Sequence, residues 1–391
     1  MGVIVRYVLR ELGVTFLFGF VAFTGLLLIV GLVQRALEED LPLTLVWQLI
    51  PFVLAEMSSI SLPTTLLLAV TIFFSRMSGN NEIIALKALG VPPRAFLLPV
   101  YVIAFLVSLV GVEIYEYSVA WGRPGIAAVL YYNAENILIE TLTKKHRFET
   151  KDKQITILVQ GVDGQRRLLK PTIMLKRESA TIEAESAQIK ISFTTKTLTV
   201  ALENIRVTGD GLSGLLGDRI IPISLSEIVS IGESNRASEM GSGRIQEERK
   251  KAVEQMEEQR RIIAAHQTFA ATMGSVDAWT NPLINEAKER IRSLQLHENR
   301  LSVEPPRRWA SGFCSFFFVW LGAPLAIWMR KSDFFSSFFA CFVPILLLYY
   351  PLLMFGLAQA KHGALPPMCV WTANVVIGLI GLWFLRQIHR Y

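Results

Sequence analysis

Cysteine is nearly absent: 391 residues carry three, Cys314, Cys341 and Cys369, all inside apolar stretches. The long polar middle of the chain therefore folds without disulfides, even where an oxidising space would permit them. Histidine is almost as scarce, and His146, His266, His297, His362 and His389 stand far apart, without metal-ligand spacing. No Gly-x-x-x-x-Gly-Lys-Ser/Thr loop is present to cradle a nucleotide phosphate, and no Gly-x-Ser-x-Gly or His-Glu-x-x-His motif occurs. The chain is thus not expected to be an enzyme or to bind a cofactor. Energy for any work comes from a partner. Charged residues make up 18% of the chain, and the net charge of +6 arises partly in short loops, so nothing points to nucleic acid.

What the chain has in abundance is long apolar runs. Leu12–Val33, Leu49–Phe74 and Ala95–Val112 precede a polar block, and Trp309–Met329, Phe334–Ala360 and Met368–Leu385 follow it. Each run is 18 to 27 residues long, and Glu56 is the one charge inside any of them. A hydrocarbon core of about 30 Å needs roughly 20 such residues as a helix. The pattern predicts a polytopic α-helical membrane protein with six spans, three plus three. Arg6, Arg10, Arg76, Lys87, Arg94, Arg330, Lys331, Arg386 and Arg390 flank one side of the spans, against Arg35 and Lys361 on the other. That bias predicts cytoplasmic termini and an outside polar block, Val119 to Arg308.

The polar block changes period partway along. From Arg147 to about Ile231, runs such as Gln154–Val159, Ala180–Ala184, Gln188–Ser192 and Thr197–Leu202 alternate polar and apolar, with turn signals at Gly161, Asp163-Gly164 and Gly209–Gly211. Period two predicts an antiparallel sandwich or open roll of about 8 to 11 strands. After Gly241-Ser242-Gly243 the period becomes helical: Ile245, Ala252, Val253, Met256, Ile262 and Ile263 form one stripe. Asn281 with Pro282 begins a second helix carrying Ile284, Ala287, Ile291 and Leu294. A hairpin of about Arg244–Met273 and Pro282–Leu296 is predicted, either a solvated spacer or a docking element.

Between spans two and three, Ser78-Gly79-Asn80-Asn81 is placed to cap a short helix from about Glu82 to Leu89. Glu82 lies in its first turn, Gly90 ends it and Pro92-Pro93 blocks continuation. Its apolar residues Ile83, Leu86 and Ala88 suit either docking into a groove of a soluble subunit or lying on lipid.

These residues resemble the LptF/LptG (YjgP/YjgQ) permeases of the lipopolysaccharide export ABC transporter. The resemblance rests on Arg6–Glu11, Leu62-Pro63, Arg76–Gly90, Gly322-Ala323-Pro324-Leu325, and Gly363–Pro367 with Trp371 and Asn374, in that order. Glu56-Met57 ahead of Leu62-Pro63 is more similar to the LptF side than to the LptG side. The resemblance implies a heterodimer of two permeases, a cytoplasmic ABC ATPase dimer that hydrolyses the ATP, a periplasmic jellyroll passing lipopolysaccharide to a bridge of similar jellyrolls, and an inner-membrane location. It also implies that Glu82, Ile83, Leu86 and Gly90 belong to an ATPase-coupling helix at about 80–90, and that spans one, two and five line the lipid cavity. By domain, the chain is expected to hold spans one to three over 1–118, a jellyroll-like β domain over 119–234, a helical hairpin over 235–305 and spans four to six over 306–391. The hairpin is longer than the single connecting helix usual in that family.

A phosphorylated glycolipid calls for cations at the outer interface above apolar walls. Arg35, Arg307 and Arg308 stand at span ends, where an arginine either meets a cargo phosphate or snorkels to ordinary headgroups. Glu56 is an intramembrane acid, open to a transport role or to facing a second permease. Two rival readings stay open on sequence: an ABC permease for another lipid or a lipoprotein, and a membrane anchor for a scaffolding β domain.

Overall fold

The computed structural model describes residues 2–38, 41–149, 155–164, 166–175, 180–192, 197–209, 212–216, 219–224, 237–273, 282–329 and 334–390. The expected Asn281 cap and the Arg330-Lys331 loop lie outside these residues. The chain forms two compact units, 1–27 with 55–120 and 236–391, and 28–54 with 121–235.

The helices are α1 (Gly2–Glu38), α2 (Leu43–Gly79), the short α3 (Glu82–Ala88), α4 (Arg94–Tyr117), α5 (Arg123–Tyr132), α6 (Ala134–Lys145), α7 (Ser242–Met273), α8 (Pro282–Trp328), α9 (Phe334–Pro344), α10 (Tyr350–Lys361) and α11 (Thr372–Arg390). A π turn at Ser118–Gly122 links α4 to α5, and another at Ile345–Tyr349 joins α9 to α10 as one span. Among the described residues, six segments are long and apolar enough to cross a membrane, as the runs predicted.

In the first unit α8 is the central helix. Its apolar window is 72% buried, against 11% for α1 and 17% for the α9–α10 span. One core joins Val8 and Leu12 of α1, Phe73 and Met77 of α2, Phe96 of α4 and Ile327 of α8. A second joins α8 through Phe318 and Leu321 to Cys341 and Tyr349 of the fifth span and Ile377 of α11. Lipid offers no hydrogen bonds, so polar groups at this depth pair internally. Thr24 and Ser61 hydroxyls lie 2.6 Å apart, and Asn374 Nδ2 donates to the Ala310 carbonyl at 3.0 Å.

Helices α4 and α8 touch through glycines. A Cβ on Gly312 would stand 2.8 Å from both the nitrogen and the Cα of Val112, so side chain and backbone cannot both stay. Gly312→Ala is expected to push α4 from α8 and cost about 1–3 kcal/mol. Thermal unfolding in detergent measures this, and a native-like midpoint would contradict the close approach.

The hairpin forms with part of the predicted stripe inward: Ile245, Ala252, Met256, Ile284 and Ala287 are buried, whereas Val253 and Ile262 are 39% and 40% exposed. Arg249 Nε meets Glu298 Oε1 at 2.8 Å across it. The second arm, expected to end near Leu296, instead runs without a break into span four as the 47-residue α8. Pro305 and Pro306 lie inside it; proline's fixed φ suits a helix, and each forfeits its own backbone N–H bond.

The second unit contains α5, α6 and the strands. The stretch 119–146, assigned to the β domain on sequence, is helical. Ile126, Leu130, Ala134, Ile137, Leu138, Thr141 and Leu142 are the buried residues of α5 and α6, at helical spacing. The strands begin at Arg147: β1 (Arg147–Glu149), β2 (Ile155–Leu158), β3 (Gly161–Val162), β4 (Arg167–Leu169), β5 (Thr172–Leu175), β6 (Ala180–Glu183), β7 (Ser186–Ser192), β8 (Thr197–Glu203), β9 (Ile205–Gly209), β10 (Leu212–Leu216) and β11 (Arg219–Ser224). Gly161, expected in a turn, sits in β3.

They form two antiparallel sheets, β1-β2-β5-β6-β9-β10 and β11-β8-β7-β4-β3. Alternate residues point inward, as with Ala187 and Ile189 on β7 and Val200 and Leu202 on β8, all buried. Helix α6 packs on β1, β3 and β7, and Arg166 Nη1 reaches Asn136 Oδ1 at 3.1 Å. The fold is therefore a polytopic helical membrane protein with an inserted β domain.

Candidate functional site

The loop helix α3 is built as the sequence suggests at its C-terminal end. Gly90 takes φ +78°, where a side chain is strained, while Gly90 N–H donates to Lys87 O at 2.9 Å and Val91 N–H to Leu86 O at 3.0 Å. That double bond pattern closes a helix with a left-handed residue. The N-terminal end differs from expectation. Asn81 makes no side-chain cap and itself adopts φ 59°; Asn80 Nδ2 instead donates to Glu82 Oε1 at 3.2 Å.

Of the apolar residues expected to dock, Ile83 and Leu86 turn inward while Ala88 faces outward. Ile83 is 5% exposed and, with Leu86, packs into the core that holds Phe73, Met77 and Phe96. Ile84 and Leu89 are 50% and 79% exposed, and Ala85 and Ala88 are exposed beside them. These four span an arc of about 140° on the helix. Ile83 and Leu86 therefore seat the helix, and Ile84, Ala85, Ala88 and Leu89 are what another protein would meet. Beside it, Arg76 Nη1 pairs with Glu11 Oε1 at 2.7 Å, tying the ends of α1 and α2 together.

A second constellation lies where α4, α7 and α8 meet. Arg308, expected at a lipid phosphate, is 2% exposed. Its Nη1 donates to Glu116 Oε2 at 2.5 Å and to Ser242 Oγ at 3.4 Å, and its Nη2 donates to the Met240 carbonyl. The Ser242 backbone N–H donates to Glu116 Oε1 at 2.8 Å. This clamp turns Arg308 away from a headgroup: both Nη atoms are taken by protein acceptors and the remaining Nε is buried. Arg307 keeps a more open position, 22% exposed, with Nη1 at 3.1 Å from both oxygens of Glu304. Sequence reasoning missed Glu116 and Glu304. An acid just past the end of an apolar run was the available signal.

Arg35 is half-buried in the last turn of α1, where the helix dipole favours a cation. Glu56 is half-buried on α2, and its carbonyl accepts Ser59 Oγ at 2.8 Å. Among the described residues no group of three His, Cys, Asp or Glu side chains is arranged to hold a metal ion.

Two apolar surfaces stand open at membrane depth in the first unit. On α1, Leu17, Phe18 and Val21 are 61%, 74% and 64% exposed; on the fifth span, Phe335, Phe339 and Leu347 are 67%, 57% and 68% exposed. In the second unit, a cavity of about 650 Å³ lies among the turns that cross between the sheets. Val159, Pro171 and Ala184 line it together with Lys170, Glu183 and Arg206.

No curated protein matches the chain closely enough to count as a relative. The family described as Lipopolysaccharide export system permease LptF/LptG matches residues 6–387, nearly the whole length. With six spans, three before and three after an inserted β domain, the chain is a multi-pass transport permease of the inner membrane and belongs to the LptF/LptG family.

Proposed function

We propose that this chain is one of two permeases of an ATP-driven machine that extracts lipopolysaccharide from the inner membrane and passes it to a periplasmic jellyroll bridge. The observation that carries the ATP-driven part is the two-faced α3. A short helix seated by Ile83 and Leu86 and showing Ile84 and Leu89 outward is built to transmit a push from a soluble ATPase to the spans beneath it. The basic residues around Arg76, Lys87 and Arg94 support a cytoplasmic side for that helix and both termini, and a periplasmic side for the β domain.

The open faces of α1 and the fifth span suit a second permease of the same three-plus-three pattern, with the lipid cavity between the two. Long apolar side chains there match acyl chains. Arg35 and Arg307 are the cations we assign to cargo phosphates at the outer interface, and Glu56 faces the partner permease or the cargo. The mixed apolar and charged lining of the β-domain cavity suits the next step of the same glycolipid. The ATP is hydrolysed by the partner, and the chain itself needs no cofactor.

Depletion of the chain tests this reading. Lipopolysaccharide is expected to accumulate in the inner-membrane fraction and fall in the outer. Unchanged lipopolysaccharide distribution, with another lipid or a lipoprotein accumulating, would overturn the cargo assignment.

A further inference from the structure

We infer that Lys87 is a positioning residue that ties the loop helix α3 to the C-terminal end of the sixth span, α11, so that both move together. The inference rests on the reading that α3 receives the ATPase. Lys87 Nζ donates to the backbone carbonyl of Ile388 at 3.2 Å, across 301 positions of sequence. Helix α11 runs to Arg390, so this carbonyl is among its last four, which have no donor within the helix. That end of a helix also carries partial negative charge, which a lysine ammonium complements.

The tie lies over an apolar contact. Ile388 is 5% exposed, and with Leu385 it packs in the same core as Ile83 and Leu86. Lys87 is itself half-buried, while Ile84, Ala88 and Leu89 are exposed, so it belongs to the inward face of α3 and not to the docking arc. A displacement of α3 therefore pulls α11 along with α1, α2, α4 and α8. Among the described residues, the fifth span contributes none to that core. Its buried contacts are with α2, α8 and α11 in a second cluster and with α8 again in a third.

The test compares native protein, Lys87→Met and Lys87→Arg in the assembled transporter in lipid nanodiscs. Lys87→Met is expected to keep the ATPase bound. Amide exchange in the last turn of α11 should quicken about fivefold, and lipopolysaccharide moved per ATP hydrolysed should fall about threefold or more. Lys87→Arg is expected to restore both, because its guanidinium reaches the same carbonyl. Unchanged exchange at α11 in Lys87→Met would overturn the tie. Faster exchange with unchanged transport per ATP would reduce it to a local brace and overturn the coupling role. Loss of the ATPase in Lys87→Met would make Lys87 a docking contact and overturn the assignment. If the native chain carries no ATPase, the proposed function fails, while the exchange comparison on the chain alone still decides whether Lys87 holds α11.

Discussion

Glu116→Ala is expected to destabilise the first unit by about 3–5 kcal/mol, the usual cost of leaving one partner of a buried ion pair uncompensated. The Arg308 side chain is 3% exposed. Without Glu116 its charge keeps only the Met240 carbonyl and the Ser242 hydroxyl. Neither carries charge, and although the Glu116 side chain is 29% exposed, the Arg308 guanidinium itself is closed off from water. The Ser242 backbone N–H, at the start of α7, loses its acceptor as well. Glu116→Gln separates the two effects. It keeps one oxygen, for either the Ser242 N–H or Arg308, puts an amide NH2 where the other oxygen stood and removes the charge, so the loss should shrink only in part, to about 2–3 kcal/mol. Thermal unfolding of the purified protein in detergent gives both values. A Glu116→Ala protein within about 0.5 kcal/mol of native would show that the clamp is not holding α4, α7 and α8 together.

The second large effect separates the two faces of α3. Ile83→Ala removes a buried side chain and should cost about 2–4 kcal/mol of stability. Paired substitution Ile84→Glu with Leu89→Glu changes only exposed positions, so stability should stay within about 0.5 kcal/mol. Association with the ATPase should nevertheless weaken by about 2 kcal/mol or more, roughly thirtyfold, as expected where outward apolar side chains are the docking anchors. Quantifying ATPase bound per permease after mild-detergent purification, beside the unfolding midpoint, gives both readouts. The opposite pattern, stable Ile83→Ala that drops the ATPase and an indifferent Glu pair, would restore the inward residues as the docking face.

The contrast between these two residues also shows where sequence stops being informative. The six spans are legible because runs of 18 to 27 residues with one charge among all six, Glu56, have no other stable state. The strands are legible because period two admits one register per face, and Ala180–Glu183, Ser186–Ser192 and Thr197–Glu203 lie within a residue or two of their alternating runs. Helix α3 is apolar nearly all round, so periodicity fixes its existence and not which side is buried. That choice is made by Phe73, Met77 and Phe96, which come from other helices.

Distance along the chain hid the rest. Glu116 and Arg308 are 192 residues apart, and Lys87 and Ile388 are 301 apart, so no local pattern joins either pair. A backbone carbonyl leaves no mark in a sequence at all. Pro305-Pro306 reads as a break, yet in α8 both prolines sit inside a helix whose early part packs on α7 and whose later part packs on α4 and α11. Tertiary packing outweighs the two missing N–H bonds there. The helices α5 and α6 were legible in principle, since Ile126, Leu130, Ala134, Ile137 and Leu138 repeat at three and four residues. They were absorbed into the β domain because they lie in the same polar block.

The central claim is that this permease works as the membrane half of an ATP-driven lipopolysaccharide exporter. The most direct measurement is purification of the tagged native chain in mild detergent, with identification of its stoichiometric partners and an assay of ATP hydrolysis. The prediction is a nucleotide-binding subunit and a second three-plus-three permease in fixed ratio, with ATP hydrolysis that the Ile84→Glu, Leu89→Glu protein loses along with the subunit. A native chain that purifies alone, folded and without ATPase activity, would contradict it and leave an anchor for the β domain as the remaining reading.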